Sequence, residues 1–383
     1  MAAYIHCIKT LLPEFGYDQA FARDQMMSWL DDPKTRRIVR RLYDHSGIER
    51  RHSVLQDFLP GAEPKLFRKD SGGRLIEPST EERNRCFIQA SRRLSVELAR
   101  KTLAGAEGFE LSDITHVITV SCTGFYNPGP DFDIVTQLGL SDRTERYHIG
   151  FMGCYAAFPA LRMAQQFCTA NPDAVVLVVC LELCSLHLQI RSDPNSILTN
   201  ALFGDGGAGA LISAHPPSGS RPALALRRFE TAMATEGSGD MAWEIGNNGF
   251  NIVLSAYVPD IIAAKIGHVV DSVLSRTGIG SEEIATWAVH PGGKAILDKI
   301  EAELNLKSSQ LEASREVLRR CGNMSSATIL FVLGRIMEAA EAGDNSRVFA
   351  MAFGPGLTME SAVLEFSGIS VKREEEACVL QSA

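Results

Sequence analysis

The chain has 383 residues, of which 45% are hydrophobic, and a formal net charge of -8 at pH 7. This length accommodates one large domain or two related ones with an ample core. The acidic balance excludes a general attraction to nucleic acid or to an acidic membrane surface. The nine cysteines follow no disulfide framework, and no apolar run reaches the ~18 residues of a membrane span. We therefore expect a cytoplasmic protein with free thiols, no signal peptide and no stable membrane insertion.

The first half of the chain has the element pattern of an α/β protein. Residues 17–47 are charged and favour helix. Residues 80–104 predict a long helix, since they open with Ser79-Thr80-Glu81-Glu82 and carry apolar residues at helical spacing. The pattern then predicts a strand at 114–120, a helix from Cys154 to about residue 170, and strongly apolar strands at 174–182 and 207–213.

Residues 215–222, His-Pro-Pro-Ser-Gly-Ser-Arg-Pro, form the best predicted linker of the chain. The same order of elements recurs after it. The pattern predicts helices at 258–278, 293–303 and 325–342, and strands at 285–290, 347–353 and 361–366. This recurrence indicates two duplicated halves, although no repeat is visible residue by residue.

The helices that follow Cys154 and Ser325 hold equivalent places in the two halves and are apolar on most faces. A helix of this kind belongs in the centre of a layered fold. Strands that are continuously apolar belong in sheets that are covered on both faces. We therefore expect an α/β fold in five layers, αβαβα, with halves at 1–214 and 222–371. Residues 372–383 are predicted to form a disordered tail.

Cys154 is the first candidate catalytic residue. It follows Gly153, at the place where a turn is predicted to become a helix. The unpaired N–H groups and the positive dipole end of a helix stabilise a thiolate, and the glycine allows another group to approach the sulfur. The alternative is a small buried core cysteine, which we expect at Cys168, Cys180 and Cys184.

His290 and Asn323 are the partners that make the catalytic interpretation of Cys154 the better one. His290 ends a predicted strand and precedes Pro-Gly-Gly, and strand ends are where α/β proteins place ligand sites. Its imidazole can donate to a developing oxyanion or, when charged, pair with a thiolate. Asn323 lies in a turn that opens a helix, where it can act as an N-cap or as a second, non-titrating donor to the same oxyanion. The alternative for His290 is a capping or core histidine.

These residues lie in motifs that resemble those of type III polyketide synthases of the chalcone/stilbene synthase superfamily, bacterial alkylpyrone and alkylresorcinol synthases in particular. The resemblance covers roughly residues 5 to 368 and implies a thiolase-like form of the five-layer fold. Five segments carry it together: Gly153-Cys154, Ala201-Leu202-Phe203-Gly204-Asp205-Gly206, His290-Pro291-Gly292-Gly293, Gly322-Asn323-Met324-Ser325-Ser326 and Phe353-Gly354-Pro355-Gly356.

The resemblance implies a role for each of these segments. Cys154 would be the nucleophile that holds the growing acyl chain, and His290 with Asn323 would bind the malonyl thioester carbonyl and stabilise the enolate left by CO2. Phe203 would stand between the CoA tunnel and the cavity, and Gly354-Pro355-Gly356 would shape the cavity floor. The implied activity is iterative decarboxylative condensation of malonyl-CoA onto an acyl-CoA starter, with no cofactor and no metal.

The remaining cavity positions differ from those of plant enzymes that use aromatic starters. Ile252 replaces a second phenylalanine, and the stretch from Trp243 resembles bacterial members that take fatty acyl starters. We therefore expect a medium-chain or long-chain starter and a pyrone or resorcinol product. An aromatic or malonyl starter, with a chalcone-like or phloroglucinol-like product, is the alternative. The further cavity positions implied by the resemblance are Cys122, Thr123, Asn127, Cys184, His187 and Ser325.

The resemblance also implies two binding partners, which are CoA and a second copy of the chain. The basic helix that carries Arg37, Arg40 and Arg41 resembles the CoA entrance of the family, and guanidinium groups suit phosphate geometry. Its alternative is a solvated helix face. A homodimer is also implied, in which a loop near Asn127 reaches toward the cavity of the partner.

Four other classes fit parts of the sequence. A papain-type hydrolase has the same Cys-His-Asn order, but its cysteine lies near the mature N-terminus. A ketoacyl synthase III has the same three residues without the motifs at Phe203 and Gly354. A non-enzymatic scaffold predicts the loss of a catalytic residue. A zinc site at Cys180, Cys184 and His187 lacks a fourth ligand nearby.

Overall fold

The structure, a computed structural model, describes residues 2–59, 61–217, 222–341 and 343–367. The strands of the first half are β1 (Ala3–Leu11), β2 (Phe15–Asp18), β3 (Arg50–Ser53), β4 (His116–Ser121), β5 (Glu145–Gly150), β6 (Val175–Leu183) and β7 (Asp205–Ser213). Its helices are α1 (Gln19–Ser28), α2 (Pro33–Asp44), α3 (Thr80–Ala104), α4 (Pro130–Leu138), α5 (Ala157–Ala170) and α6 (Pro194–Leu202).

The second half repeats this kind of arrangement. Its strands are β8 (Ala223–Met233), β9 (Met241–Gly246), β10 (Gly249–Leu254), β11 (Ile284–Val289), β12 (Arg347–Gly354) and β13 (Thr358–Ser367). Its helices are α7 (Val258–Thr277), α8 (Lys294–Glu303), α9 (Glu312–Cys321) and α10 (Thr328–Ala339).

The sheet topology is the same in both halves. The order is β1-β7-β6-β4-β5 in the first half and β8-β13-β12-β11 in the second, and pairing of β1 with β8 joins them into one nine-stranded sheet. In each half the first strand is antiparallel to the last, the last is antiparallel to the one before it, and the next pair is parallel. This repetition confirms the predicted duplication.

The inner strands of the sheet, such as β4, β6, β7 and β12, are buried on both faces, which produces the layers. Along β6, Val176 and Val178 face the central core with α5 and α10, whereas Val175 and Leu177 face a second core with α3. The strands of the second half divide between the central core and a third core with α7 and α8 in the same way. Because neither face meets water, continuous apolar runs are the stable pattern for these strands.

Local sequence sets the ends of several helices. Ser79 accepts from the backbone of Glu82 and Glu82 accepts from the backbone of Ser79, which is a capping box for α3. Asp32 accepts from Lys34 and Thr35 at the start of α2. The predicted helix at 80–104 is therefore confirmed at its bounds.

Some of the predicted elements were wrong or incomplete. Residues 17–47 begin with the end of β2 and then form two helices, because Asp32 and Pro33 start a new helix after α1. The helix predicted from 325 opens with a 3-10 turn, and α10 begins only at Thr328. The prediction missed the strands β1, β3, β5 and β8, the hairpin of β9 and β10, and the helices α4, α6 and α9.

The predicted boundaries of the halves stay a prediction. Residues 218–221 of the predicted linker and the predicted tail at 372–383 lie outside the described residues. Among the residues that the structure describes, no helix is long and apolar enough to cross a membrane.

We expect a leucine in the central layer to matter far more than one on the surface. Leu330 of α10 is 0% exposed, whereas Leu111 is 44% exposed. Leu330→Ala leaves a cavity and should lower the free energy of unfolding by about 2–5 kcal/mol. Leu111→Ala is the matched control and should lower it by less than about 1 kcal/mol. Urea unfolding at fixed pH measures both, and equal losses would contradict the layered core.

Candidate active site

A large cleft lies where the carboxyl ends of the strands of both halves meet. It has about 1110 Å³ of empty space, part of it open to solvent. Most of the predicted site residues line it: Cys154, His290, Asn323, Phe203, Cys122, Thr123, Cys184, His187, Ile252, Ser325 and Pro355. A concave, mostly apolar site with a few convergent polar groups is the usual form of a small-molecule site.

Cys154 lies in a tight turn that immediately precedes α5. A Cβ on Gly153, which has φ of 85°, would lie 2.2 Å from Pro355 Cδ, and a Cβ on Gly354 would lie 2.5 Å from Tyr155 Cδ1. Glycine is therefore required at both positions for the loop of the second half to pack against the turn of the first. This contact does not test the predicted role of Cys154 or of the loop at Gly354. It fixes the position of the Cys154 turn relative to that loop.

The predicted effect of the helix N-terminus on Cys154 is opposed by burial. The helix begins at Ala157, beyond the cysteine, and the cysteine is surrounded by protein. Burial raises the pKa of the Cys154 thiol to about 11, although hydrogen bonds from Ser325 and Asn323 oppose this shift. Desolvation disfavours the charged form more strongly than these donors favour it. The resting nucleophile is therefore a thiol with part of its surface accessible from the cleft.

His290 follows the last residue of β11 and is 1% exposed. Its backbone N–H donates to Met351 O at 2.8 Å, and neither ring nitrogen has a hydrogen-bond partner. Burial lowers the pKa of the imidazole to about 3, so the neutral form persists at neutral pH. The interpretation of a charged His290 paired with a thiolate was wrong for this resting state. A neutral ring with an unpaired N–H can donate to an oxyanion.

Asn323 has a local structural role, and its amide group also lies beside the other predicted catalytic residues. Its Oδ1 accepts from the backbone N–H of Ser325 at 2.8 Å, which is the local turn-forming role. The Nδ2 group lies 3.4 Å from Gly292 O in the loop that follows His290. Because Oδ1 is held by the turn, the orientation of the amide is fixed, and its other N–H is directed toward Cys154, where a substrate carbonyl would lie.

Phe203 ends α6 directly beside Asn323. The two residues form a parallel bridge, in which Gly204 N–H donates to Asn323 O at 2.9 Å. Arg51 donates to Phe203 O at 2.6 Å. The backbone of Phe203 is thus held from two sides, while its half-buried side chain lines the cleft.

The wall opposite the catalytic residues is aromatic. His187 Nε2 lies 2.7 Å from Thr123 O, and the ring stacks on Phe250 with 3.8 Å between ring centroids. Phe250 in turn contacts Trp243 at 5.0 Å, and Ile252 extends the same hairpin wall. The sequence prediction missed Phe250, since it placed the hairpin residues only by loose resemblance.

Glu182 is a buried carboxylate near the cleft that the prediction missed. Its side chain accepts from Cys122 N–H and from Thr123 Oγ1, both at 2.9 Å, and from the Ser326 hydroxyl. Burial raises its pKa to about 7. A lone acidic residue inside the apolar run of β6 was the signal that could have found it.

The remaining predicted residues lie outside the cleft lining. Asn127 is exposed, in the loop before α4, and does not line the cleft of its own chain. Arg37, Arg40 and Arg41 are exposed on α2 and do not line it either. Gly354 and Gly356 flank Pro355 without reaching the cleft surface. In the part of the chain that the structure describes, no group of three or more His, Cys, Asp or Glu side chains could hold a metal ion.

A buried thiol beside two neutral donors, in an apolar cleft between duplicated α/β halves, defines an acyl-transferring condensing enzyme of thiolase-like fold. Two family models cover most of the chain: the N-terminal domain of chalcone and stilbene synthases matches residues 2–216, and the C-terminal domain matches residues 228–367. The chain therefore belongs to the chalcone and stilbene synthase family, and is a type III polyketide synthase that condenses malonyl-CoA units. This membership decides against the papain-type and non-enzymatic alternatives.

Named relatives support the same assignment. The chain is 31% identical, over 95% of its length and 91% of the relative, to the alpha-pyrone synthesis polyketide synthase-like Pks18 of Mycobacterium tuberculosis. It is similar to the structure of PKS-I from the brown alga Ectocarpus siliculosus, with a TM-score of 0.86, 29% identity and coverage of 95% and 98%. It is also similar to 1,3,6,8-tetrahydroxynaphthalene synthase from Streptomyces coelicolor, with a TM-score of 0.82, 25% identity and coverage of 95% and 99%.

Two variants should show that acyl loading of the protein and decarboxylation of malonyl-CoA depend on different residues. Cys154→Ala removes the nucleophile, so acyl transfer to the protein should fall about 1,000-fold or more while CO2 release from malonyl-CoA continues. Asn323→Ala removes one oxyanion donor and should lower CO2 release about 100-fold while Cys154 still accepts an acyl group. Intact-protein mass spectrometry and labelled CO2 release measure the two steps. Loss of both steps in both variants would contradict separate roles.

His290 should make the stability of the fold depend on pH. Its pKa is about 3 in the folded protein, against an ordinary value of 6.5 for a histidine in the unfolded chain. The unfolded chain therefore binds the extra proton, and stability falls as the pH drops through 6.5. From pH 7 to pH 5 this group should cost about 2 kcal/mol. The variant His290→Asn should lose correspondingly less over this range than the wild type. The exposed His268→Asn is the matched control, and identical pH slopes for both variants would refute the buried neutral imidazole.

Proposed function

We propose that this protein extends a medium-chain or long-chain fatty acyl-CoA starter with malonyl units and closes the product to a pyrone or resorcinol. The apolar lining of the cleft, which includes Ile252, Leu254, Cys184 and Leu188, carries this proposal. Such a wall gains free energy by covering a hydrocarbon chain, at about 25 cal/mol per Å² of apolar surface. The similarity to a relative named for alpha-pyrone synthesis supports the same class of product.

Loading begins on Cys154. The sulfur attacks the thioester carbonyl of the acyl-CoA, a new C–S bond forms, and the bond to the CoA sulfur breaks. Because the resting residue is a thiol, its proton must leave as the sulfur attacks. The neutral imidazole of His290 accepts this proton and returns it to the departing CoA sulfur.

Extension uses the two neutral donors. His290 and Asn323 donate to the thioester oxygen of malonyl-CoA, and the C–C bond to the carboxylate breaks as CO2 leaves. The electron pair of that bond becomes the enolate, which attacks the acyl carbon on Cys154. A C–C bond forms, the C–S bond breaks, and the sulfur leaves as a thiolate that takes up a proton from solvent. Phe203, apolar and beside Asn323, keeps water from this enolate. Transfer of the product back to Cys154 allows another round.

We extend the proposal to the binding of CoA and to the assembly of two copies into a homodimer. Arg41, with Arg37 and Arg40 on the same exposed helix α2, offers guanidinium groups to the CoA phosphates. Pro355 forms part of the cleft floor beside Cys154, and Gly354 and Gly356 set the course of the loop that carries it. Two copies form a homodimer in which Asn127, exposed in its own chain, faces the cleft of the other copy. The enzyme acts in the cytoplasm.

An aromatic starter is the second candidate, because Phe250 and Trp243 form a ring-lined part of the same wall. Their centroids lie 5.0 Å apart, and a planar starter would stack against them. A malonyl starter belongs to the same alternative, because it too has no long alkyl chain that would cover the aliphatic wall of the cleft.

A starter panel tests the proposal. Purified protein receives labelled malonyl-CoA with acetyl-, octanoyl-, lauroyl-, palmitoyl- or one aromatic acyl-CoA, and products are identified by mass spectrometry. We expect kcat/KM to rise from acetyl to the longer chains and products to be pyrones or resorcinols. Products only from the aromatic or malonyl starter would overturn the fatty acyl assignment. The variant Cys154→Ala is the control for enzyme-dependent condensation.

A further inference from the structure

A second cavity lies beside the catalytic cleft, on the side of the N-terminal helices. It has about 540 Å³ of empty space, part of it open to solvent. Four residues line both this cavity and the cleft: Arg51, Ser185, Leu188 and Phe203. The two spaces are therefore neighbours that share a single wall of side chains.

The far wall of this second cavity is largely aromatic and comes from β2, from α1 with the residue that follows it, and from the segment after β3. Trp29 and Phe58 have ring centroids 5.4 Å apart, and Tyr17 packs against Phe58 at 6.0 Å and against Phe21 at 5.9 Å. Ala22 and Met26 of α1 complete the apolar lining. A ring-lined cavity of this kind favours a hydrocarbon occupant.

Three polar residues of this lining, Tyr17, Ser185 and Arg51, already have partners within the protein. Tyr17 donates its hydroxyl to Leu55 O at 2.6 Å, and Ser185 donates to Asp205 at 2.7 Å. Arg51 donates to Gln19 at 2.9 Å and to two backbone carbonyls. A polar occupant would lose its bonds to water and find few replacements here, whereas an alkyl chain loses none.

We propose that this second cavity is an annex that receives the distal part of the starter's acyl chain while its carbonyl is bound to Cys154. The inference rests on the proposed fatty acyl function and names where the chain goes. The backbone of Phe203 is held by Arg51 and by Asn323, so rotation of its half-buried ring opens the shared wall without moving the catalytic turn. Ala22, the smallest side chain of the lining that α1 contributes, leaves the room that the chain occupies.

The same chemistry argues against the pantetheine arm of CoA as the occupant. That arm carries two amide groups and a hydroxyl group, each of which would need a hydrogen-bond partner away from water. The tyrosine, serine and arginine groups of the annex are already engaged. The terminal methylenes of a fatty acyl chain need none.

Filling the annex tests this inference. Ala22→Phe places a ring in the annex, and Ala20→Phe places the same ring on the exposed face of α1 as the matched control. For Ala22→Phe we expect kcat/KM with palmitoyl-CoA to fall at least about tenfold. With acetyl-CoA as starter, and in CO2 release from malonyl-CoA, the variant should stay within about twofold of the wild type. Ala22→Leu, a smaller substitution, should give an intermediate loss, and thermal unfolding confirms that all three variants fold.

The possible results distinguish a failure of the annex proposal from a failure of the proposed function on which it rests. If the wild type condenses no fatty acyl starter, the proposed function fails. If the wild type condenses palmitoyl-CoA and Ala22→Phe keeps its chain-length profile, the annex is refuted while the function stands. An equal loss with every starter would also refute the annex, because it would reveal a general disturbance of α1. A loss confined to long chains, absent from Ala20→Phe, supports it.

Discussion

Desolvation at the junction of the two halves is the constraint on which the site depends. Burial raises the pKa of Cys154 to about 11 and lowers that of His290 to about 3, so the resting cleft holds a thiol and a neutral imidazole instead of an ion pair. Charge arises only when a substrate carbonyl becomes an oxyanion or an enolate. In such a dry environment the two fixed neutral donors are worth more than they would be in water.

The duplication of the fold explains why the required groups meet. Cys154 and Asn323 occupy turns just before the two central helices, α5 and α10. Cys122 follows β4 as His290 follows β11, and these strands hold corresponding places in the two halves of the sheet. Strand ends and helix starts of both halves thus converge on one cleft, as ligand sites do in α/β sheets. The close contact of Gly153 with Pro355 sets how near the two halves approach each other at this cleft.

Much of this was visible in the sequence because small residues surround each catalytic position. Cys154, His290 and Asn323 stand out beside glycines, and the apolar runs of the sheet predicted its burial on both faces. The direction of the Cys154 pKa shift was not predictable, since it depends on how much protein from the other half covers the sulfur. The hairpin wall at Phe250 was missed because its strands lie outside the main sheet and are partly exposed.

Specificity has a different structural origin from the chemistry. Cys154, His290 and Asn323 serve any starter and any ring closure, so the choice among them must come from the walls. Those walls are built largely by elements outside the nine-stranded sheet: the hairpin of β9 and β10, and α1 with the ribbon of β2 and β3. Substitutions there change the volume offered to a chain without entering the central core. A duplicated core that fixes the reaction can therefore host different starters through its appended elements.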